Sequence, residues 1–63
     1  MTIQWYADDQ EARVFMGDGS LLAKLPGCRT RGHADIALRE LGSRRRERWQ
    51  KTDWGYEARI RKA

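Results

Sequence analysis

The 63-residue sequence predicts a small α+β domain of two layers, an antiparallel β-sheet with one amphipathic helix packed on one face, in the order β-β-β-α-β-β. Three observations carry this reading. Short stretches alternate apolar and polar residues, the period of strands with one buried face. One stretch, between Thr30 and Gly42, switches to helical spacing. A chain of this length buries only about 60% of its unfolded surface, so residues 1–63 make a single domain.

Ile3, Trp5 and Ala7 fall on alternate positions and open the first strand, which the turn-forming Asp8-Asp9-Gln10 closes. Ala12, Val14 and Met16 alternate in the second. Gly17-Asp18-Gly19-Ser20 then supplies a tight connection, because glycine reaches the positive φ that hairpin turns require. Leu21, Ala23 and Leu25 form the third strand, which Pro26-Gly27 ends, since proline has no amide hydrogen for a ladder. Connections this short join antiparallel neighbours, because parallel ones need long crossovers.

Ala34, Ala37, Leu38 and Leu41 lie at i, i+3, i+4 and i+7, with Asp35, Arg39 and Glu40 off that stripe, so residues 32–41 read as an amphipathic helix. Thr30 is its N-cap, Asp35 suits its early turns and Gly42 is a natural C′ residue. So short a helix is stable only when packed on the sheet.

Farther on, Trp54, Tyr56, Ala58 and Ile60 alternate with Gly55, Glu57, Arg59 and Arg61, making residues 54–61 a strand. Residues 45–51 have two readings, a hairpin partner of that strand or a charged helical continuation; the hairpin is favoured because a local antiparallel return fits the spacing. The expected core is Ile3, Trp5, Val14, Met16, Leu21, Leu25, Ala34, Ala37, Leu38, Leu41, Trp54 and Ile60.

Composition excludes several functions. The sole cysteine, Cys28, rules out an internal disulfide and suits a reducing compartment, so a cytoplasmic protein is expected. Cys28 and His33 fall short of a metal-ligand set, and neither metal nor other cofactor is expected. The N-terminus has no basic and apolar signal pattern and no apolar run of membrane-spanning length, so a membrane role is not expected. A Cys28 nucleophile with His33 as base would need an exposed, electropositive thiol, whereas a lone cysteine is commonly a small buried apolar residue. Asp8 and Asp9 are adjacent turn formers rather than a paired acid and base. Gly17-Asp18-Gly19 lacks the following helix of a phosphate loop. An enzymatic role is therefore not expected.

Charge is divided along the chain. Residues 1–27 hold two basic residues against four acidic ones, a balance of −2, whereas residues 28–63 hold eleven against five, a balance of +6. The densest cluster is Arg44, Arg45, Arg46, Glu47, Arg48, Trp49, Gln50 and Lys51, followed by Trp54, Tyr56, Arg59, Arg61 and Lys62. Arginine and lysine neutralise phosphates and interleaved rings stack on bases, so nine of these residues, Arg44, Arg45, Arg46, Arg48, Trp49, Lys51, Tyr56, Arg59 and Arg61, are the expected nucleic-acid-binding surface, on an arginine-rich hairpin contacting DNA or RNA. The same facts have a second reading, in which Trp49, Trp54 and Tyr56 are core and the arginines solvate a sheet edge. A further alternative is a protein-interaction module or homodimer that uses leftover aromatic surface. The sequence carries no RNP-type aromatic octapeptide, helix-flanked GXXG, basic-region heptad or cysteine–histidine finger.

Overall fold

A computed structural model of the chain describes residues 1–62. Strands β1 (Thr2–Tyr6), β2 (Glu11–Phe15) and β3 (Leu21–Pro26) form the antiparallel meander, followed by helix α1 (Arg31–Glu40) and by β4 (Ser43–Arg45), β5 (Gln50–Lys51) and β6 (Gly55–Lys62). The sheet order is β3-β2-β1-β6-β4, with β5 also paired to β6. The last long strand therefore lies beside the first, and the two together hold Ile3, Ala58 and Ile60 at the centre of the sheet, buried among apolar neighbours.

The expected order along the chain holds, with one refinement. Residues 43–51 run as a single antiparallel partner of β6 broken in the middle: β4 pairs with Ile60–Lys62 and β5 with Tyr56–Glu57. The return is a tight turn in which the Thr52 N–H donates to the Gly55 carbonyl at 2.9 Å and the Gly55 N–H donates to Thr52 Oγ1 at 3.0 Å. Gly55 is required there because an added Cβ would overlap the carbonyl oxygen of Trp5 on β1.

Helix α1 begins and ends as its sequence dictates. Thr30 Oγ1 accepts the His33 N–H at 3.1 Å, and Leu41 caps the C-terminus before Gly42, whose φ of 77° is easily reached only without a side chain. Ala34 and Leu38 are its buried residues, and they join Ile3, Ala12, Val14, Cys28, Ala58 and Ile60 in one core. Trp5, Leu25, Ala37 and Trp49 pack half-buried around it. Trp5 also closes the β3–α1 connection, its indole N–H donating to the Cys28 carbonyl at 2.7 Å.

Four residues of the expected core lie outside it: Met16, Leu21, Leu41 and Trp54 are exposed. Met16 follows the end of β2 and enters the turn. A register shift between Val14 and Phe15 places Leu21 opposite Phe15, on the face away from the helix, so a bulge breaks the parity that the bare alternation implied. Leu41 is past the last helical turn. Trp54 sits in the turn before β6 rather than in the strand. Among the described residues, no helix is long and apolar enough to cross a membrane.

Candidate nucleic-acid interface

Strand parity divides the basic cluster between the two faces of the sheet. On β6, Ala58 and Ile60 point into the core, so Glu57, Arg59 and Arg61 leave from the opposite face. Arg44, the register partner of Arg61, shares that face, whereas Arg45 is the partner of the buried Ile60 and turns toward the helix. Lys51 is the partner of Tyr56, and both lie on the helix side. The expectation that the hairpin's charges and rings share one face is corrected by this register.

Arg45 is committed to contacts within the chain, with 27% of its side chain in solvent. Its Nε and Nη2 donate to the two carboxylate oxygens of Asp35 at 2.7 and 3.0 Å, and its Nη1 donates to the Glu47 carbonyl at 2.8 Å. The guanidinium also lies 5.1 Å from the Trp49 ring centre. These contacts tie the second turn of α1 to β4, which identifies Arg45 as a structural strut.

Trp49 and Tyr56 are likewise occupied. Trp49 is half-buried against the core, with its indole N–H sealed from solvent and lacking an acceptor among the described residues. The Tyr56 ring lies 6.1 Å from that of Trp5 and has the Arg31 guanidinium 3.9 Å above it. Neither ring is the free stacking surface that the sequence suggested.

The interruption between β4 and β5 is stitched by Glu47. The Arg46 N–H donates to the Arg59 carbonyl at 2.8 Å, and the Glu47 carboxylate receives the Arg59 N–H at 3.0 Å and its guanidinium at 3.1 Å. These two donations hold the Glu47 carboxyl below its ordinary range.

Among the described residues, Arg39, Arg44, Arg46, Arg48 and Arg61 have no carboxylate within ion-pair distance. All five are exposed. The first four wall an open cleft of about 490 Å³ between α1 and β4, and Arg44, Arg46 and Arg61 wall a second of about 460 Å³. The arginine run is thus a ridge between two concave, electropositive surfaces. Arg44 and Arg61 are directly opposite in the ladder, a placement in which like charges are destabilising, so the folded protein carries a local repulsion that an anion would relieve.

Arg39 was not among the nine candidate residues. It belongs to the cleft because the Gly42 turn brings the end of α1 back onto β4, and its place off the apolar stripe was the only signal. Tyr6 was also missed: its ring pairs with that of Trp54, a member of the late basic and aromatic cluster outside the nine, with ring centres 4.8 Å apart on the face away from the helix. The remaining chemical candidates have structural roles. Cys28 is buried, and burial pushes its thiol up from the ordinary 9.0. Asp18 is held below its ordinary range by hydrogen bonds from the hydroxyl and N–H of Ser20, which shape the β2–β3 turn. His33 is exposed in the first helical turn. Among the described residues, no three His, Cys, Asp or Glu side chains group so as to hold a metal.

Comparison with protein-family models, with curated proteins and with solved structures finds no match to this chain.

Proposed function

We propose that this protein binds nucleic acid through its arginine ridge, with Arg39, Arg44, Arg46, Arg48 and Arg61 contacting phosphates. The observation that carries the reading is the facing pair Arg44 and Arg61, two guanidinium groups at directly opposed ladder positions with no ion-paired carboxylate among the described residues. A sheet edge needs charge only to stay soluble, and dispersed charge serves that purpose. Five uncompensated arginines around two adjoining clefts make a footprint for a polyanion. Arg45 and Arg59 take supporting roles, since their guanidinium groups engage Asp35 and Glu47. The single, buried Cys28, with no partner for a disulfide in the chain, suits a cytoplasmic site of action.

Titration with duplex DNA, duplex RNA and single strands across a salt series tests this reading. Five phosphate contacts give a slope of log affinity on log salt of roughly −4.5 for duplex and roughly −3.5 for single strands. Replacing Arg44 and Arg46 together by alanine lowers the slope by about 1.4 to 1.8 and weakens binding of all sequences alike. Absence of binding at low salt, or affinity indifferent to salt, defeats the reading.

A second reading, self-association, is favoured by one observation. Met16, Leu21 and Leu22 are each about half exposed where the β2–β3 hairpin meets the free edge of the sheet. Sedimentation distinguishes it, because a monomer at all concentrations removes it.

A further inference from the structure

Trp54 is an exposed indole held on a rigid support. Its turn is fastened by the reciprocal Thr52 and Gly55 hydrogen bonds, and its ring rests on Tyr6 with an interplanar angle of 32°. Tyr6 is in turn fixed, because it donates to Gln4 Oε1 and carries the Arg13 guanidinium 4.6 Å from its ring centre. Trp54 nevertheless keeps 38% of its surface in solvent. A tryptophan ordered by an aromatic neighbour and still partly open to solvent is a preorganised stacking surface.

Its position relates it to the arginine ridge. From Trp54, strand β6 runs about 23 Å to Arg61, carrying Glu57, Arg59 and Arg61 on the face that Tyr6 and Trp54 occupy. Gln4 and Gln50 flank Glu57 in the ladder. The helix packs on the other side, and the middle of this face is an open concavity lined by Gln4, Glu57 and Arg59 with the β2–β3 turn at its rim. The face therefore has a ring at one end, cations at the other and hydrogen-bonding side chains between. The cations complement a phosphate backbone, while the Glu57 carboxylate repels phosphate and accepts from base amino groups, so bases rather than phosphates face the middle of the strand.

We infer that the sheet face opposite the helix binds a single-stranded stretch of nucleic acid, one base stacking on Trp54 and the phosphates beyond it meeting Arg61 and Arg44. The inference rests on the nucleic-acid reading above and narrows it to single strands. In a duplex, each base face is covered by its neighbours and the ring has nothing to stack on, whereas a single strand offers a free π-face at every nucleotide.

The test compares a labelled 12-nucleotide oligodeoxycytidylate with a blunt duplex of the same length at one low salt concentration, for the wild type and for Trp54→Leu, Trp54→Phe and Arg44→Ala. The expected result is that Trp54→Leu weakens single-strand binding by about tenfold and leaves duplex affinity nearly unchanged, which also shows that the variant is folded. Trp54→Phe retains most of the affinity, and the quenching of tryptophan fluorescence by the oligomer disappears with Trp54. Arg44→Ala weakens both ligands. Equal effects of Trp54→Leu on both ligands, no effect on either, or quenching that survives the substitution overturns the inference while leaving the phosphate reading intact. Failure of the wild type to bind either ligand overturns both.

Discussion

Glu47 substitutes for a missing piece of β-strand beside Arg59: its carboxylate takes the Arg59 backbone N–H at 3.0 Å and the same residue's guanidinium at 3.1 Å. The gap between β4 and β5 would otherwise leave that amide unpaired on the edge of β6, and an unmet backbone donor is costly in proportion to its burial. One side chain thereby keeps the ladder continuous while letting the arginine run bulge away from it.

This contact predicts a pH dependence. The folded Glu47 carboxyl titrates below its ordinary 4.5, so its stabilising contribution is complete above that value and is lost as the pH falls through the lower folded value. Urea unfolding of Glu47→Gln is expected to show a lower midpoint than the wild type at pH 7, and the difference narrows as the pH drops below 4.5. A constant difference across the acid range contradicts the assignment.

The Asp35–Arg45 pair joins helix to sheet through two hydrogen bonds in a half-exposed setting. A double-mutant cycle on Asp35→Ala and Arg45→Ala is expected to return a coupling of about 1 kcal/mol, the upper range for a bidentate pair at the surface. If Arg45 were instead a nucleic-acid contact, Asp35→Ala would leave stability unchanged and strengthen binding.

Gly55 has no room for a side chain. Gly55→Ala forces β1 and β6 apart at the Trp5 carbonyl, and a loss of about 1 to 3 kcal/mol is expected in denaturant unfolding. Gly17, whose added Cβ meets nothing within 4 Å, is the control position.

Leu38 and Leu22 separate core from pattern. Leu38 is buried and Leu22 is half exposed, so Leu38→Ala is expected to cost about 2 to 5 kcal/mol and Leu22→Ala within about 0.5 kcal/mol. With Ile3, Val14 and Leu38 the largest fully buried side chains, the first loss leaves little of the core, and calorimetry would show the transition weakened or absent.

Cys28 is expected to react slowly with a disulfide reagent in the folded protein and at the rate of a free thiol in urea. Its raised thiol pKa also means that stability is complete below 9.0 and declines as the pH rises beyond it, since the unfolded chain ionises first. Cys28→Ser, which buries a hydroxyl, costs about 1 to 3 kcal/mol, and Cys28→Ala less.

The sequence by itself determined the elements whose cause is local. Alternation placed β1, β2 and β3, helical spacing with the Thr30 cap and Gly42 stop placed α1 within a residue of its ends, and the apolar face of residues 54–61 announced β6. It also located the surplus of positive charge. Tertiary structure alone decided which side of the sheet each charge and ring occupies. The bulge at Leu22 inserts one residue into a ladder of period two and so moves Leu21 to the opposite face, whereas the break between β4 and β5 inserts two and keeps Gln50 and Lys51 in phase with Arg44 and Arg45. Arg44 and Arg61 stand free while Arg45, one position along on the other face of β4, is clasped by Asp35 because α1 packs on that side. Trp54 met Tyr6 only because β6 lies next to β1, a pairing between the two ends of the chain that no local pattern encodes.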